Sequence, residues 1–164
     1  MIEYVRFGGG ILIMLCALLF GKGYSNFADR RIAEYEGFLA LISHIETEIS
    51  RSLSYGKELW SGFSNAELER CGMLQHLREG KTPYDAFLLC EEALSLSDKT
   101  KVALKKFFSR FGYEYKDSEL RRISEVKGDL VVELKSVREE LEKNKRVVNA
   151  LLVGGSLSVV ILLI

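Results

Sequence analysis

The sequence predicts an all-α fold: an antiparallel bundle of about five to six helices carried on two transmembrane helices, with a long C-terminal helix running into the second span. Three observations predict it. Leu120, Ile123, Leu130, Leu134, Val137, Leu141 and Val148 recur at spacings of three, four or seven, the seam of a helix that packs on other helices. From Val147 the charges stop, and residues 147–164 are eighteen positions without an ionisable side chain. As a helix rising ~1.5 Å per residue, that run is ~27 Å long, close to the ~30 Å hydrocarbon core of a bilayer. A second uncharged run of fifteen residues, 7–21, lies between Arg6 and Lys22.

The 164 residues therefore divide into an N-terminal transmembrane anchor (1–24), a cytoplasmic helical bundle domain (25–146) and a C-terminal transmembrane helix (147–164). Lys+Arg and Asp+Glu number 23 each, for a net charge of zero. Only Glu3 and Arg6 fall outside residues 22–146, so that central segment also balances, at 22 of each sign. No basic excess is present to hold nucleic acid, and that partner class is discounted. One proline and the lack of low-complexity tracts argue against disorder. Cys16, Cys71 and Cys90 are too few and too scattered for a disulfide framework and fit a reducing compartment.

The first apolar run is short for a span. Tyr4, Val5 and Tyr24 extend it at the interfaces, and Arg6 and Lys22 can snorkel. The rival reading is a cleaved signal peptide. A weak basic start and no small-x-small cleavage site favour an uncleaved anchor, and Leu15 before Cys16 argues against a lipoprotein signal. Lys22, Arg30, Arg31, Lys143, Lys145 and Arg146 lie on the bundle side of the two runs, and Arg6 stands almost alone on the other. The positive-inside rule then places the bundle in the cytoplasm. Ala17 and Gly21 form a small-xxx-small pair at a depth comparable with Gly154 and Gly155. This would let the spans approach closely, although glycine is also simply common in membrane helices.

The first helix of the bundle covers 27–53, with Phe38, Leu41, Ile42, Ile45, Ile49 and Leu53 on its apolar stripe and Glu34, Glu36, Glu46 and Glu48 at positions that can stay wet. Its start is close enough to Lys22 for it to continue the first span. Tyr55-Gly56 breaks it. Leu59, Trp60 and Phe63 suggest a short covering helix, and Asn65 caps the next, whose face is Ala66, Leu68, Met73, Leu74 and Leu77. Gly72 can bend or break that helix, and Gly80 closes it as a C′ glycine. Thr82-Pro83-Tyr84-Asp85 reads as N-cap, first helical residue and acidic N3 partner. Ala86, Phe87, Cys90, Ala93 and Leu94 follow on one face. Ser97 or Asp98 caps a helix carrying Val102, Leu104, Phe107, Phe108 and Phe111, and Gly112 ends it. Asp117 caps the terminal helix, in which Lys127 and Asn144 interrupt the seam and Gly128 costs ~1 kcal/mol relative to alanine.

No catalytic, cofactor-binding or metal-binding residue is assigned. Gly8, Gly9 and Gly10 lack the following lysine and hydroxyl of a phosphate loop. Cys71, His76 and Cys90 lack the paired close spacing of a zinc site. His44 and Glu48 stand four apart, a spacing that more often makes a surface hydrogen bond than an acid–base pair. The carboxylates sit among lysines, the pattern of solvated faces. The chain is expected to act by binding and not as an enzyme.

The layout and several local motifs resemble the stage III sporulation protein AB family of endospore-forming bacteria. Glu46-x-Glu48-Ile49 resembles its acidic-x-acidic-Ile segment. Gly80-x-Thr82, Ala86-Phe87 and Ala93-Leu94 resemble its glycine, small hydroxyl and alanine-aromatic turn and helix. Phe111-Gly112 and Asp117 are similar to its phenylalanine-glycine and helix-starting aspartate, and Gly154-Gly155 to the glycines of its last span. Tyr115-Lys116 stands where the family often has Leu-Gly, Arg121 where it has glutamine, and the turn after Ile49 is drawn out.

The resemblance implies a soluble domain similar to the cytoplasmic domain of type II secretion and type IV pilus platform proteins. It implies a non-enzymatic component of the channel between mother cell and forespore, multi-pass in the outer forespore membrane and facing the mother-cell cytoplasm. The implied partners are a stage III sporulation protein AA-like ATPase, other channel components and membrane lipid; the family brings no cofactor. The alternative is a membrane-anchored coiled-coil scaffold or dimerising sensor, in which the seam pairs copies into a homo-oligomer.

Overall fold

The computed structural model describes residues 2–52, 58–112 and 115–163; in the two apolar end segments only some side chains are included. Among the described residues every element is helical: α1 Ile2–Ser52, α2 Glu58–Ser61, α3 Ala66–Arg70, α4 Met73–Arg78, α5 Pro83–Cys90, a 3₁₀ turn Glu91–Ala93, α6 Asp98–Ser109 and α7 Lys116–Leu163. Gly72, at φ +86°, breaks the expected helix after Asn65 into α3 and α4. The expected spans, 1–24 and 147–164, fall largely on side chains outside the described residues. Among the described residues, no helix is long and apolar enough to cross a membrane. The Tyr55-Gly56 break also lies outside them; α1 ends at Ser52.

The chain forms two compact units, Arg30–Ser136 and Met1–Asp29 with Val137–Ile164. In the first, the α1 stripe Phe38, Leu41, Ile42, Ile45 and Ile49 is fully buried, as its spacing requires. Phe38 meets Phe87 of α5 at 5.9 Å, Phe87 meets Phe108 of α6 at 5.6 Å, and Phe107 leads through Phe111 to Trp60 of α2. Each such ring pair adds ~0.5–1.5 kcal/mol beyond burial. Helix α7 runs antiparallel to α1: Lys116 Nζ donates to the Ser50 carbonyl at 2.8 Å, and Lys127 Nζ lies 2.7 Å from Glu46 Oε2. Lys127, read as an interruption of the seam, is thus a tie between the two helices.

The helix ends follow the local chemistry. Asn65 Oδ1 accepts from the Glu67 and Leu68 amides, each at 3.1 Å. Gly80, at φ +92°, closes α4 with Lys81 N–H returning to the His76 carbonyl at 3.1 Å. Thr82 Oγ1 accepts from the Asp85 amide and donates to Asp85 Oδ2 at 2.7 Å. Ser97 caps α6. Gly112 has φ +85°. Asp117 sits inside the first turn of α7, which starts one residue earlier at Lys116.

Four sequence expectations are corrected. Glu34, expected to be wet, is completely buried. Val102 is 65% exposed because the buried stripe of α6 runs through Thr100, Leu104, Phe107 and Phe108, placing residue 102 on the far side. Ala66 is exposed at the start of a five-residue helix that buries Leu68 alone. Ala93 is exposed because the 3₁₀ turn takes it off the α5 face.

In the second unit Ala28, Val137 and Leu141 are buried, and Lys145 Nζ lies 2.7 Å from Asp29 Oδ1. Gly21 lies against a leucine: a methyl there would come within 2.8 Å of Leu152 Cδ1. Among the described residues a methyl at Gly154 or Gly155 would meet nothing within 4 Å, and the side chain of Ala17 lies outside those residues.

Two glycine substitutions have opposite expected signs. Helix α7 is unbroken at Gly128, which is exposed with open space around it. Gly128→Ala is expected to stabilise by ~0.5–1 kcal/mol. A methyl at buried Gly37 would lie 2.9 Å from Asn65 Oδ1 and 3.4 Å from Leu68 Cγ, displacing the cap of α3. Gly37→Ala is expected to cost ~1–2 kcal/mol despite the better helix propensity. Urea unfolding followed by circular dichroism reads both; a stabilising Gly37→Ala would refute this packing.

Candidate functional site

The densest polar chemistry in the bundle lies on one turn of α1. Residues 94–97, between the 3₁₀ turn and α6, have no regular ladder for their backbone groups, so those groups must find partners elsewhere. Helix α1 supplies them. Arg30 Nη2 donates to the Ala93 carbonyl at 2.8 Å. Glu34 Oε2 accepts from the Ser95 amide at 2.6 Å, and the Tyr35 hydroxyl accepts from the Ser97 amide at 3.3 Å. The Tyr35 hydroxyl also lies 3.1 Å from Thr100 Oγ1, inside the core.

Glu34 has no solvent exposure, yet two cations reach the same oxygen: Arg30 Nε and Arg70 Nη2, each 3.1 Å from Oε1. Both guanidiniums stay partly in water, at 42% and 40% side-chain exposure. Arg70 also binds Glu67 on its own helix. One buried carboxylate therefore joins α1, α3 and the α5–α6 connection. A second buried carboxylate, Glu119 of α7, takes both oxygens to Arg122 Nη2 at 2.8 Å. Arg122 also donates to the Arg110 carbonyl and lies over Phe107, with 5.7 Å from its guanidinium carbon to the ring centroid.

Beside the Glu34–Arg70 pair the fold brings two cysteines together. Cys71 directly follows α3 and Cys90 ends α5, and each thiol shifts the pKa of the other. Both are free; Cys90 is buried and Cys71 half-buried. Cys71 Sγ donates to the Leu68 carbonyl at 3.4 Å and Cys90 Sγ to that of Phe87 at 3.2 Å. The Cys71 pKa is lowered to about 7, chiefly by the Cys90 thiol and with help from the Met73 amide, against the opposing effect of burial. Cys90 is pushed strongly upward, first by Cys71 and then by burial.

The third residue weighed as a metal ligand, His76, is taken up elsewhere: its Nδ1 lies 3.3 Å from Glu79 Oε2 and 3.2 Å from Lys81 Nζ. No group of three metal-ligating side chains occurs among the described residues. His44 turns Nε2 to the Leu59 carbonyl at 2.9 Å and stacks near Phe63, holding α2 onto α1. Sequence reasoning missed Glu34, Tyr35, Arg70 and Glu119. The available signal was position: Glu34 and Glu119 lie four residues before Phe38 and Ile123, on the apolar stripes themselves.

Removing the carboxylate in Glu34→Ala would orphan the Ser95 amide and take from Arg30 and Arg70 the oxygen they share. It is expected to cost ~3 kcal/mol, and Glu34→Gln, which keeps an acceptor, ~1–2 kcal/mol, by urea unfolding of the full chain. Equal costs would mean the hydrogen bonds do not matter. Alkylation of Cys71 by iodoacetamide should accelerate as pH rises through about 7, where its thiolate forms. In Cys90→Ala, which removes the donor, the midpoint should move up toward that of an ordinary thiol, and an unmoved midpoint would exclude the Cys90 thiol as its cause.

No curated protein and no solved structure matches the chain. A family model, described as stage III sporulation protein AB, matches residues 6–164. The match takes in the capped turns at Thr82 and Ser97, the Glu34 turn of α1 and the whole of α7, and by that span the chain belongs to the stage III sporulation protein AB family.

Proposed function

We propose that the chain is a non-enzymatic platform component of the channel between mother cell and forespore. In this reading it is a membrane hairpin, anchored by residues 1–24 and 147–164 in the outer forespore membrane, with the bundle facing the mother-cell cytoplasm. The bundle docks a stage III sporulation protein AA-like ATPase to the membrane assembly. The family match over residues 6–164 supports a sporulation role. The two uncharged runs and the basic residues on their bundle side support the topology.

The observation that carries a platform over a coiled-coil scaffold is the state of the α7 seam. Ile123, Leu130, Leu134, Val137 and Leu141 are all at most 8% exposed within a single chain. A seam meant to pair copies would lie open in one copy. Here it is consumed by the chain's own helices, which leaves the outer faces for partners.

Three measurements test the reading. Full-length chain in detergent should retain the ATPase in a pull-down; a folded, monodisperse chain that fails to do so would sink the docking role. Leu130→Asp should unfold the bundle, at a cost above ~3 kcal/mol. A scaffold would instead lose its partner copy while staying helical. A reporter fused after residue 164 should report the non-cytoplasmic side, and a cytoplasmic signal would overturn the hairpin.

A further inference from the structure

We propose that two copies of this chain associate face to face through the outer surface of α6 and α7, with Val102 of each copy seated on Gly128 of the other.

The surface is set by two ties that hold α6 antiparallel to α7. Lys99, in the first turn of α6, is ion-paired with Glu133, and the Arg110 carbonyl at its other end accepts from Arg122 at 2.8 Å. Both helices rise equally per residue, so Val102 stands level with the turn from Gly128 to Val132, and Lys106 level with the turn at Glu125. Helix α6 buries Thr100, Leu104, Phe107 and Phe108, and α7 buries Ile123, Leu130 and Leu134. Val102 and Val132 lie about half a turn away from those stripes, on the outer line of each helix, and are 65% and 68% exposed.

Gly128 is the second observation. Glycine weakens a helix interior relative to alanine. Nothing in the chain's own packing calls for it here: Gly128 is exposed, α7 is unbroken there, and a methyl would meet nothing within 4 Å. On the outer face, between Glu125 and Val132, it leaves a notch into which a side chain of another helix can sink.

The charges are the third. Lys106 and Arg110 on α6, and Glu125 and Asp129 on α7, are all exposed, and their side chains are in no ion pair among the described residues. The face thus has a basic half and an acidic half side by side. A two-fold axis parallel to the helices lays α6 of each copy over α7 of the other. It sets Val102 against the Gly128 notch and Lys106 against Glu125 and Asp129, twice over, as an isologous interface requires. Only at one end, where Arg110 comes level with Arg121, do like charges meet. The α7 seam stays inside each copy, and the two α7 helices run in the same direction, which suits two chains anchored in one bilayer. The pairing rests on the chain's own surface and not on the channel role.

The test is sedimentation velocity of the full-length chain in detergent micelles over a concentration series. A monomer–dimer equilibrium that weakens with rising salt is expected. Gly128→Leu, which fills the notch with a better helix former, should weaken association by at least about tenfold while the urea midpoint holds or rises. Lys106→Glu and Glu125→Lys should each lose dimer alone, and an equal mixture of the two should recover it, because each reversed charge then meets its opposite. A wild-type chain that is monomeric throughout would overturn the proposal. So would a dimer indifferent to Gly128→Leu, or a mixture no better than either variant. A monomer that loses the ATPase on Gly128→Leu would assign the face to that partner instead and equally overturn it. Should Gly128→Leu lose its helical signal, the charge mixture decides.

Discussion

The Glu34 carboxylate is the interaction on which the bundle depends. Its removal from water costs several kcal/mol, so the site is tolerable only because every donor around it is placed. Two guanidiniums and one amide converge on its two oxygens from three separate parts of the chain. The neighbouring Tyr35 takes the Ser97 amide, two residues further along the same loop. Apolar burial along the α1 stripe supplies cohesion but does not say which residues of 94–97 sit against which turn of α1. The polar ties do, because the Ser95 and Ser97 amides each meet one side chain of that turn at hydrogen-bonding distance. Loops elsewhere leave such groups to water; this one is held by side chains of a helix over fifty residues away.

Much of the fold was legible because it is written locally. A cap needs a side-chain oxygen two or three residues from the amide it serves, so Asn65, Thr82 and Ser97 can be read within a window of four. The same holds for Gly72 and Gly80, whose positive φ suits glycine alone among ordinary residues. The buried charges were not legible in that way. Glu34 looks like any surface glutamate until Arg70 is known to reach it, and Arg70 lies thirty-six positions on. The stripe nevertheless pointed to it. Extending the periods of α1 and α7 back by one turn lands on Glu34 and Glu119, and forward on α7 from Ile123 lands on Lys127. All three charges bind across or within the bundle. A charge on an apolar stripe is thus better read as a tie whose partner is distant than as a solvated interruption.

The seam of α7 bears on function through the same logic. A repeat of three and four cannot by itself distinguish a helix that packs at home from one that packs on a copy, since both require the same spacing. What separates them is whether the rest of the chain supplies holes for the knobs. Here α1 is antiparallel to α7 and tied to it at Ser50 and Glu46, and the seam residues are buried without a second chain. The apolar side chains that remain outside, among them Val102 and Val132 at 65% and 68% exposure, lie off that seam. A platform that binds other proteins needs its partner surface outside its own core, and this division provides one.

The cysteines show how the fold turns a weak sequence signal into a specific one. Cys71, His76 and Cys90 could be imagined as three metal ligands, and their spacing gave no reason to prefer that reading. Folding commits His76 to Glu79 and Lys81. Two thiols without a third ligand are a poor site for zinc, which needs four-coordinate closure. The two thiols also differ in exposure, Cys71 being half-buried and Cys90 buried. The asymmetry follows from position. Cys71 lies in the turn between two short helices that Gly72 separates, open to solvent on one side. Cys90 lies at the end of the α5 face that packs through Phe87 against Phe38. The turn at Gly72 that ends α3 thus also leaves Cys71 partly in water, while the core that anchors α5 keeps Cys90 dry.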